Sequence, residues 1–183
     1  MNRDDAMTAV QKNVRNDNLV KHMLATEAIM QALAQRLGED EDTWAVAGLL
    51  HDIDIELTEG DMARHALVGA DMVREMGFND EIAHAVASHN EQNGTTRNSG
   101  LDRALYCADP LTGLITAAAL VRPDRKLAGV QEKSIRKRFK EKSFAAGARR
   151  EQIAACSEIG LELDEFLALG LTAMQGIAGP LGL

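Results

Sequence analysis

The sequence predicts an all-α fold, and two features support this class. Aromatic residues make up only 3% of the 183 residues, so the core must be built mainly from aliphatic side chains and methionine. Such residues favour helices, whereas strands are enriched in β-branched and aromatic residues. Apolar residues also recur at helical spacing, without a convincing period-two alternation. A chain of this length can bury a sizeable core, so we expect one helical domain over residues 1–183.

Helices in the first half of the chain are predicted from their start and stop signals. Residues Val20–Leu37 carry apolar side chains at three-to-five-residue spacing, and Gly38 closes the segment. The acidic run at 39–42 favours a helix N-terminus, which a buried segment follows over Trp44–Leu50. A further helix is predicted over Asp61–Met76, with apolar residues along one face.

The second half of the chain contains similar signals. Asn79 can cap a helix that ends near His89, and the polar run 90–100 is the clearest loop. Residues 99–102 resemble a capping box, which opens a long helix through Val121. The remaining predicted helices span Phe144–Ile159 and Asp164–Ile177.

A side-by-side imidazole and carboxylate, His51 and Asp52, end the buried segment Trp44–Leu50. Burying an ionised carboxylate without a partner costs more free energy than one apolar helix offsets. A divalent cation would account for the pair, because imidazole and carboxylate are its preferred nitrogen and oxygen ligands. The alternative is a helix that ends at the surface, with Asp52 and Asp54 in water.

Four of the five histidines and one acid lie on core-facing stripes of separate predicted segments. A single histidine on an apolar helix face is more often a core residue than a ligand. Side chains from several helices, however, converge in the middle of a bundle, which is how metal sites in helical proteins are built. His84 lies about 140° around the helix from His89 and is therefore left out. The converging residues are His22, His51, His65, His89 and Asp109.

The ordered set of these residues with Asp52 resembles the signature of the HD-domain metal-dependent phosphohydrolases, specifically the HDIG-like bacterial members. The local contexts resemble that family as well: LVKHMLATEAIM, AGLLHDID, ARHALVGADMV, AVASHN and YCADPLTGLI. The resemblance covers residues 18–125 and leaves 126–183 as a C-terminal helical extension. It implies an HD-domain-like helical bundle with the metal site in its centre.

The resemblance also implies a ligand set and a reaction. One divalent metal would be held by His22, His51, Asp52 and Asp109. A second metal would be held by His65 and His89, with Asp52 as the bridge. One or two ions are therefore expected, from among manganese, iron, cobalt, nickel, zinc and magnesium. The implied reaction is hydrolysis of a phosphomonoester or phosphodiester by a metal-activated water.

Asp52 and Asp54 are the catalytic residues that we expect. In nucleotidase-like members of the family, an acid three residues after the HD aspartate assists proton transfer. That position is Ile55 here, so Asp54, or alternatively Glu56, would have to substitute.

The charge distribution indicates which class of substrate to expect. A formal net charge of −8 argues against nucleic acid, so we expect a small phosphoester such as a nucleotide or phosphorylated metabolite. The segment 122–142 nevertheless carries nine basic residues against three acids and could steer an anion. For most of these residues a solvated helix face is the alternative. Arg122 and Lys126 are the candidate phosphate contacts, and a surface pair that caps a helix end is the alternative for them.

Two other functions are compatible with the same residues, and the sequence also predicts where the protein is located. Rival functions are a di-iron oxygenase with the same ligands, and a non-catalytic metal-dependent sensing or interaction module. No apolar run approaches about 20 residues and no secretory signal is visible, so we expect a cytoplasmic protein without a membrane helix. The C-terminal segment is expected to pack on the core, with a homodimer contact as an alternative role.

Overall fold

A computed structural model describes residues 1–183 and contains ten α-helices and no β-strand, which confirms the all-α prediction. None of the helices combines the length and the apolar character that a membrane crossing requires. The α-helices are α1 (Arg3–Asn13), α2 (Asp17–Leu37), α3 (Glu41–Leu50), α4 (Leu67–Glu75), α5 (Asp80–His89), α6 (Gly100–Leu120), α7 (Glu132–Lys140), α8 (Arg150–Ala154), α9 (Leu163–Gly176) and α10 (Ala178–Leu181). Short 3-10 helices cover Glu91–Asn93, Leu127–Gly129 and Ala155–Ile159.

Two 21-residue helices, α2 and α6, pack against each other at the centre of the bundle. Each is about 30 Å long at about 1.5 Å per residue. Helix α3 packs on α2, α5 packs on α6, and α9 contacts both central helices. One continuous hydrophobic core includes side chains from Ala6 in α1 to Leu181 in α10. The residues after 125 therefore share the core of the rest of the chain.

Several helix ends follow the local signals read from the sequence. Gly38 ends α2 in the left-handed region, with φ of 76°, where glycine carries no steric cost. The Asn79 side chain accepts a hydrogen bond from the Ile82 amide at the start of α5. Ser99 and Asp102 form the predicted capping box of α6. These ends position the last residue of α5 and the middle of α6 in the bundle.

The helix predicted to begin at Asp61 begins six residues later, and residues 51–66 form turns. The Asp54 carboxylate accepts hydrogen bonds from the backbone amides of Ala66 and Gly69, at 2.8 and 2.9 Å. Ala66 adopts φ of 73°, which is unusual for a residue with a side chain. A buried carboxylate therefore sets the backbone here, and it overrides the helical periodicity of the segment.

The helix predicted over Phe144–Ile159 is reduced to the five-residue α8 and the 3-10 helix that follows it. The preceding chain is held in turns by the Arg150 guanidinium, which donates hydrogen bonds to six backbone carbonyls. An arginine has only five N–H donors, so the whole group is committed to the backbone. The acceptors are Arg138, Phe139, Glu141, Phe144, Ala145 and Ala148.

Gly48 allows the close approach of α3 to α2. A Cβ at this position would lie 2.9 Å from the backbone N and Cα of Glu27 and from the carbonyl oxygen of Thr26. Backbone atoms in a helix cannot move away at low cost. We therefore expect Gly48→Ala to lower the free energy of unfolding by about 1–3 kcal/mol, the usual range for overpacking.

Gly113 of α6 is the matched control, because it is exposed and its nearest neighbour would be the Ala148 Cβ at 3.9 Å. Gly113→Ala is expected to raise the free energy of unfolding by about 0.5–1 kcal/mol through helix propensity. Urea denaturation of both variants measures the difference. Equal stability of Gly48→Ala and the unmodified protein would contradict the close-packing argument.

Candidate metal centre

The six residues predicted as metal ligands come together at the centre of the bundle. His22 lies on α2, His51 and Asp52 follow α3, His65 precedes α4, His89 ends α5, and Asp109 lies on α6. His51, His65 and His89 are at most 4% exposed, and Asp52 is 9% exposed. The side chains of His22 and Asp109 are about a quarter exposed, at 25% and 28%. The cluster is thus buried on one side and open on the other.

Asp52 lies between two halves of the cluster. Its Oδ2 atom is 3.5 Å from His22 Nε2 and 3.4 Å from His51 Nε2. Its Oδ1 atom is 3.2 Å from His65 Nε2 and 3.4 Å from His89 Nε2. Asp109 Oδ1 adds a second carboxylate 3.1 Å from His22 Nε2. Two groups of nitrogen and oxygen atoms therefore share one carboxylate.

Each imidazole is oriented by an oxygen on its far side. His51 Nδ1 lies 2.8 Å from the carbonyl oxygen of Gly48, and His89 Nδ1 lies 2.6 Å from that of Val86. His65 Nδ1 lies 2.9 Å from Asp54 Oδ1. Oxygen acceptors of this kind place the ring proton on Nδ1. The Nε2 lone pairs are then directed into the cluster, as in histidines that bind metals.

The Thr112 hydroxyl orients the His22 ring in the same way. Its hydroxyl donates to the carbonyl oxygen of Asp109 at 2.7 Å, so its lone pairs remain for the Nδ1–H of His22 at 2.8 Å. Thr112 and Asp109 lie on α6, one turn apart. Thr112 was not predicted from the sequence, although a threonine three residues after an acid in an apolar helix was a usable signal.

The donor set fits a divalent cation. With their Nδ1 protons fixed, His22 and His51 direct Nε2 lone pairs at each other across 3.1 Å and at two carboxylates. Two lone pairs that face each other at this distance repel, so a proton or a cation between them would stabilise the arrangement. Two groups meet the spacing of a metal site: His22, His51 and Asp109, and His51, Asp52 and His89.

The pKa values in the cluster also indicate that positive charge is stabilised there. Burial lowers the pKa of His51, but the charge of Asp52 and the hydrogen bond to it raise the pKa to about 9. For His65, hydrogen bonds to Asp52 and Asp54 likewise outweigh burial and raise the pKa to about 9. Burial raises the pKa of Asp52, but the neighbouring His51 holds it well below its ordinary value. The carboxylates remain charged and draw cations to the imidazoles.

Asp54 occupies a position that differs from the predicted catalytic one. It is fully buried behind His65, where its oxygens accept hydrogen bonds from the His65 ring and from the amides of Ala66 and Gly69. A Cβ on Gly69 would lie only 3.2 Å from the Asp54 carboxylate, so glycine permits this approach. The geometry places Asp54 where it orients His65, and Asp54 does not line the cavity at the cluster.

The polar loop after α5 also holds the His65 turn, a contribution that was not predicted from the sequence. The Asn90 side chain donates to the carbonyl oxygens of Met62 and His65, at 2.7 and 3.1 Å. The Asn93 side chain donates to the carbonyl oxygen of His65 at 3.3 Å. These amides fix the backbone on one side of the cluster. These roles of Asn90 and Asn93 were difficult to predict from the sequence, because asparagine is common in loops for other reasons.

The other predicted residues lie outside the cluster. The Arg122 guanidinium donates to the Asp124 carboxylate and to the carbonyl oxygen of Gly129, and neither Arg122 nor Lys126 lines the cavity at the cluster. Glu56 accepts hydrogen bonds from the chain just before α2. His84 pairs with Asp102 at 3.0 Å and stays apart from the cluster, as expected.

A cavity of about 290 Å³ opens onto the exposed side of the cluster. Asp52, His65, His89 and Asp109 form one wall. The other walls are formed by Ile55, Met62, Asn90, Gln92, Pro110, Gly147, Arg149 and Gln152. Three of these residues come from the segment after α7, whose proximity to the site was not predicted from the sequence.

Comparison with known proteins gives one family and a group of relatives. The HD domain family model matches residues 19–128. Ribonuclease Y of Oleidesulfovibrio alaskensis is 33% identical over 98 residues, which cover 54% of this chain and 18% of that protein. Ribonuclease Y of Salinispora arenicola is 33% identical over 138 residues, 73% of this chain and 23% of that protein. The chain thus spans about a fifth of these relatives, and no solved structure matches it.

These relatives overturn the expected partners. A small-molecule substrate and no nucleic acid were predicted from the sequence, whereas the relatives are named as ribonucleases. The error has a physical reason. A net charge of −8 averages over the whole surface, but association with an anion depends on the local field at the site. Metal cations, which the net charge omits, also belong to that local field.

Asp52 is expected to be the residue on which metal retention depends most, because it faces both halves of the cluster. We expect Asp52→Ala to weaken manganese binding by more than about 100-fold, since loss of even an outer partner of a ligand costs about 10–100-fold. Metal content after gel filtration, measured by mass spectrometry, provides the test. His84→Ala is the control and should retain metal. Equal metal content in Asp52→Ala and the unmodified protein would contradict the assignment.

The metal-free protein is expected to lose stability as pH rises. The raised pKa values of His51 and His65 mean that folding favours their protonated forms. This contribution is complete below about pH 6.5, the ordinary histidine pKa, and is lost as pH rises through about 9. Metal binding should show the opposite trend, because a metal must displace these protons. Melting temperatures with chelator and with manganese, from pH 6 to 9, test both trends. Parallel profiles would contradict the prediction.

Proposed function

The chain belongs to the HD-domain family of metal-dependent phosphohydrolases, and on this basis we propose that it hydrolyses phosphodiester bonds of single-stranded RNA at the cluster around Asp52. One observation carries the proposal. Four imidazoles with their Nδ1 atoms committed to oxygen acceptors direct Nε2 at two carboxylates on the floor of an open cavity. This arrangement suits cations that must also contact a substrate.

The ligands would divide into two groups that share Asp52. His22, His51, Asp109 and Oδ2 of Asp52 would hold one cation, and His65, His89 and Oδ1 of Asp52 would hold a second. Manganese, iron, cobalt, nickel and zinc all accept such mixed nitrogen and oxygen ligation. When bound, divalent cations supply a water acidified toward neutral pH and stabilise charge on a phosphoryl oxygen.

The protein's own residues provide orientation and a shaped opening. Thr112, Asp54 and the carbonyl oxygens of Gly48 and Val86 fix the ring planes, so little reorganisation is needed when substrate binds. Burial of His51 and His65 excludes water behind the cluster. The partly exposed Asp109 lines the cavity, where its carboxylate can accept a hydrogen bond from a water.

The substrate class is supported by the relatives' names and by the size of the cavity. The relatives are called Ribonuclease Y. The cavity of about 290 Å³ is slightly smaller than the volumes, about 300–1,000 Å³, that enclose small ligands. A cavity of this size can admit only a short part of a strand, and the stacked, paired bases of a duplex hold its backbone in a regular helix that cannot bend into the cavity. Unpaired RNA, whose backbone can bend into a cavity, meets this requirement.

Cleavage of end-labelled RNA by the purified, metal-loaded protein tests the proposal. We expect manganese-dependent cleavage of a single-stranded oligonucleotide, and little cleavage of a duplex of the same sequence. Chelator and the Asp52→Ala variant should abolish cleavage, while His84→Ala should retain it. Absence of cleavage with every metal in the series, in protein shown to contain that metal, would overturn the proposal.

A further inference from the structure

The outer wall of the cavity is built by residues that the HD family model does not cover. The match ends at residue 128, yet Gly147, Arg149 and Gln152 line the cavity that opens on the cluster. We propose that Arg149 binds a backbone phosphate of the substrate. This inference rests on the proposed function and specifies which residue of the chain binds a phosphate of the RNA.

Arg149 is the only lysine or arginine among the residues that line this cavity. Its side chain is half exposed, so its charge faces solvent at the opening. Across the cavity lie the carboxylates of Asp52 and Asp109, which repel a phosphate unless cations offset them. Among the side chains that line the cavity, a substrate phosphate therefore meets a permanently positive group only at Arg149.

Contacts on the rim hold the Arg149 side chain in place. Its Nη2 pairs with Oε1 of Glu91, and Oε2 of Glu91 accepts a hydrogen bond from the Tyr106 hydroxyl at 2.8 Å. The Arg97 guanidinium lies 3.7 Å from the centre of the Tyr106 ring and adds a second positive charge. Tyr106 lies on α6 one turn before Asp109. The rim network thus ties Arg149 to the helix that carries a cluster carboxylate.

The Glu91 contact leaves most of the guanidinium free. Only Nη2 of Arg149 has a protein partner, so Nε and Nη1 retain donors for a ligand. A guanidinium presents its N–H groups as a planar fork that matches two oxygens of a phosphate. A lysine at the same place would supply the charge without the fork. Arginine is therefore suited to bind and orient a phosphodiester here.

The neighbouring Arg150 keeps the backbone of Arg149 in place. Its six hydrogen bonds to carbonyl oxygens fix the chain from Arg138 to Ala148, immediately before Arg149. One arginine faces the interior and shapes the turn, while the other faces the cavity. Because the turn is formed without substrate, little conformational entropy is lost when a phosphate binds.

The test measures equilibrium binding of a fluorescent single-stranded RNA oligonucleotide to manganese-loaded protein at low temperature, so that cations offset the carboxylates of Asp52 and Asp109. Electrophoresis of each sample after the titration confirms that the oligonucleotide is intact. We expect Arg149→Ala to raise the Kd at least about tenfold, and to reduce the slope of log Kd against log salt by about 0.7, the value of one lost phosphate contact on a single strand. Arg149→Lys should preserve the slope but bind more weakly than the unmodified protein, because the charge remains and the fork is lost.

Arg36→Ala is the matched control. Arg36 is a half-exposed arginine paired with a half-exposed glutamate, Glu165, as Arg149 is with Glu91. It lies 14 residues after His22 on α2, about 21 Å along the helix. Its removal changes the net charge equally and should leave both Kd and slope unchanged. Circular dichroism of each variant confirms the folded state, and Arg149→Lys keeps the test valid if Arg149→Ala is unfolded.

The outcomes separate this inference from the proposed function. RNA cleavage by the unmodified protein, together with equal Kd and slope for Arg149→Ala and Arg36→Ala, would overturn the role of Arg149 and leave the function standing. A weaker affinity and a smaller salt slope for Arg149→Ala would support the phosphate contact. If the unmodified protein at the same time cleaved no RNA with any metal, the proposed function would be overturned. No measurable RNA binding by the unmodified protein would overturn both.

Discussion

The direction of four imidazole lone pairs is the constraint on which the rest of the structure depends. The Nδ1–H group of each ring donates a hydrogen bond to an oxygen of a helix carbonyl, a threonine or a buried acid. Each Nε2 atom is therefore directed toward the carboxylates at the centre of the cluster. Such an arrangement is unfavourable without positive charge at its centre. The helices must hold these acceptors rigidly, because a rotated ring would release its lone pair from the cluster. The tight α2–α3 contact at Gly48 serves this purpose, since the Gly48 carbonyl also orients His51.

The sequence was sufficient to predict the helical class and the residues that converge, for two different reasons. Apolar periodicity and capping residues act locally, so α2, α5 and α6 could be placed from short stretches of sequence. The converging residues could be identified because packing alone rarely accounts for several histidines and an acid on the buried faces of separate helices. Their role as ligands remains a proposal, and their proximity is a property of the structure.

The remaining features depend on contacts between residues that are distant in sequence. Asp54 looks like a spare acid near the HD pair, and only the fold shows it accepting hydrogen bonds from a turn more than ten residues later. Arg150 looks like one of many basic residues, yet its guanidinium hydrogen-bonds to carbonyl oxygens throughout the chain between α7 and α8. Local propensity carries no information about such long-range side-chain to backbone bonds. The expected substrate was wrong for a related reason, because net charge omits both location and cations.

The dependence of a whole turn on Arg150 has a consequence for motion at the cavity. Six carbonyl oxygens share one guanidinium, so their hydrogen bonds form and break as a set. We therefore expect the outer wall of the cavity to open as one unit, separately from the surrounding bundle. Its amides would exchange with solvent together, while the helices that carry the histidines stay closed. Under the proposed function, access of RNA to the cluster would then depend on the opening of this wall, without any change in the helices beneath it.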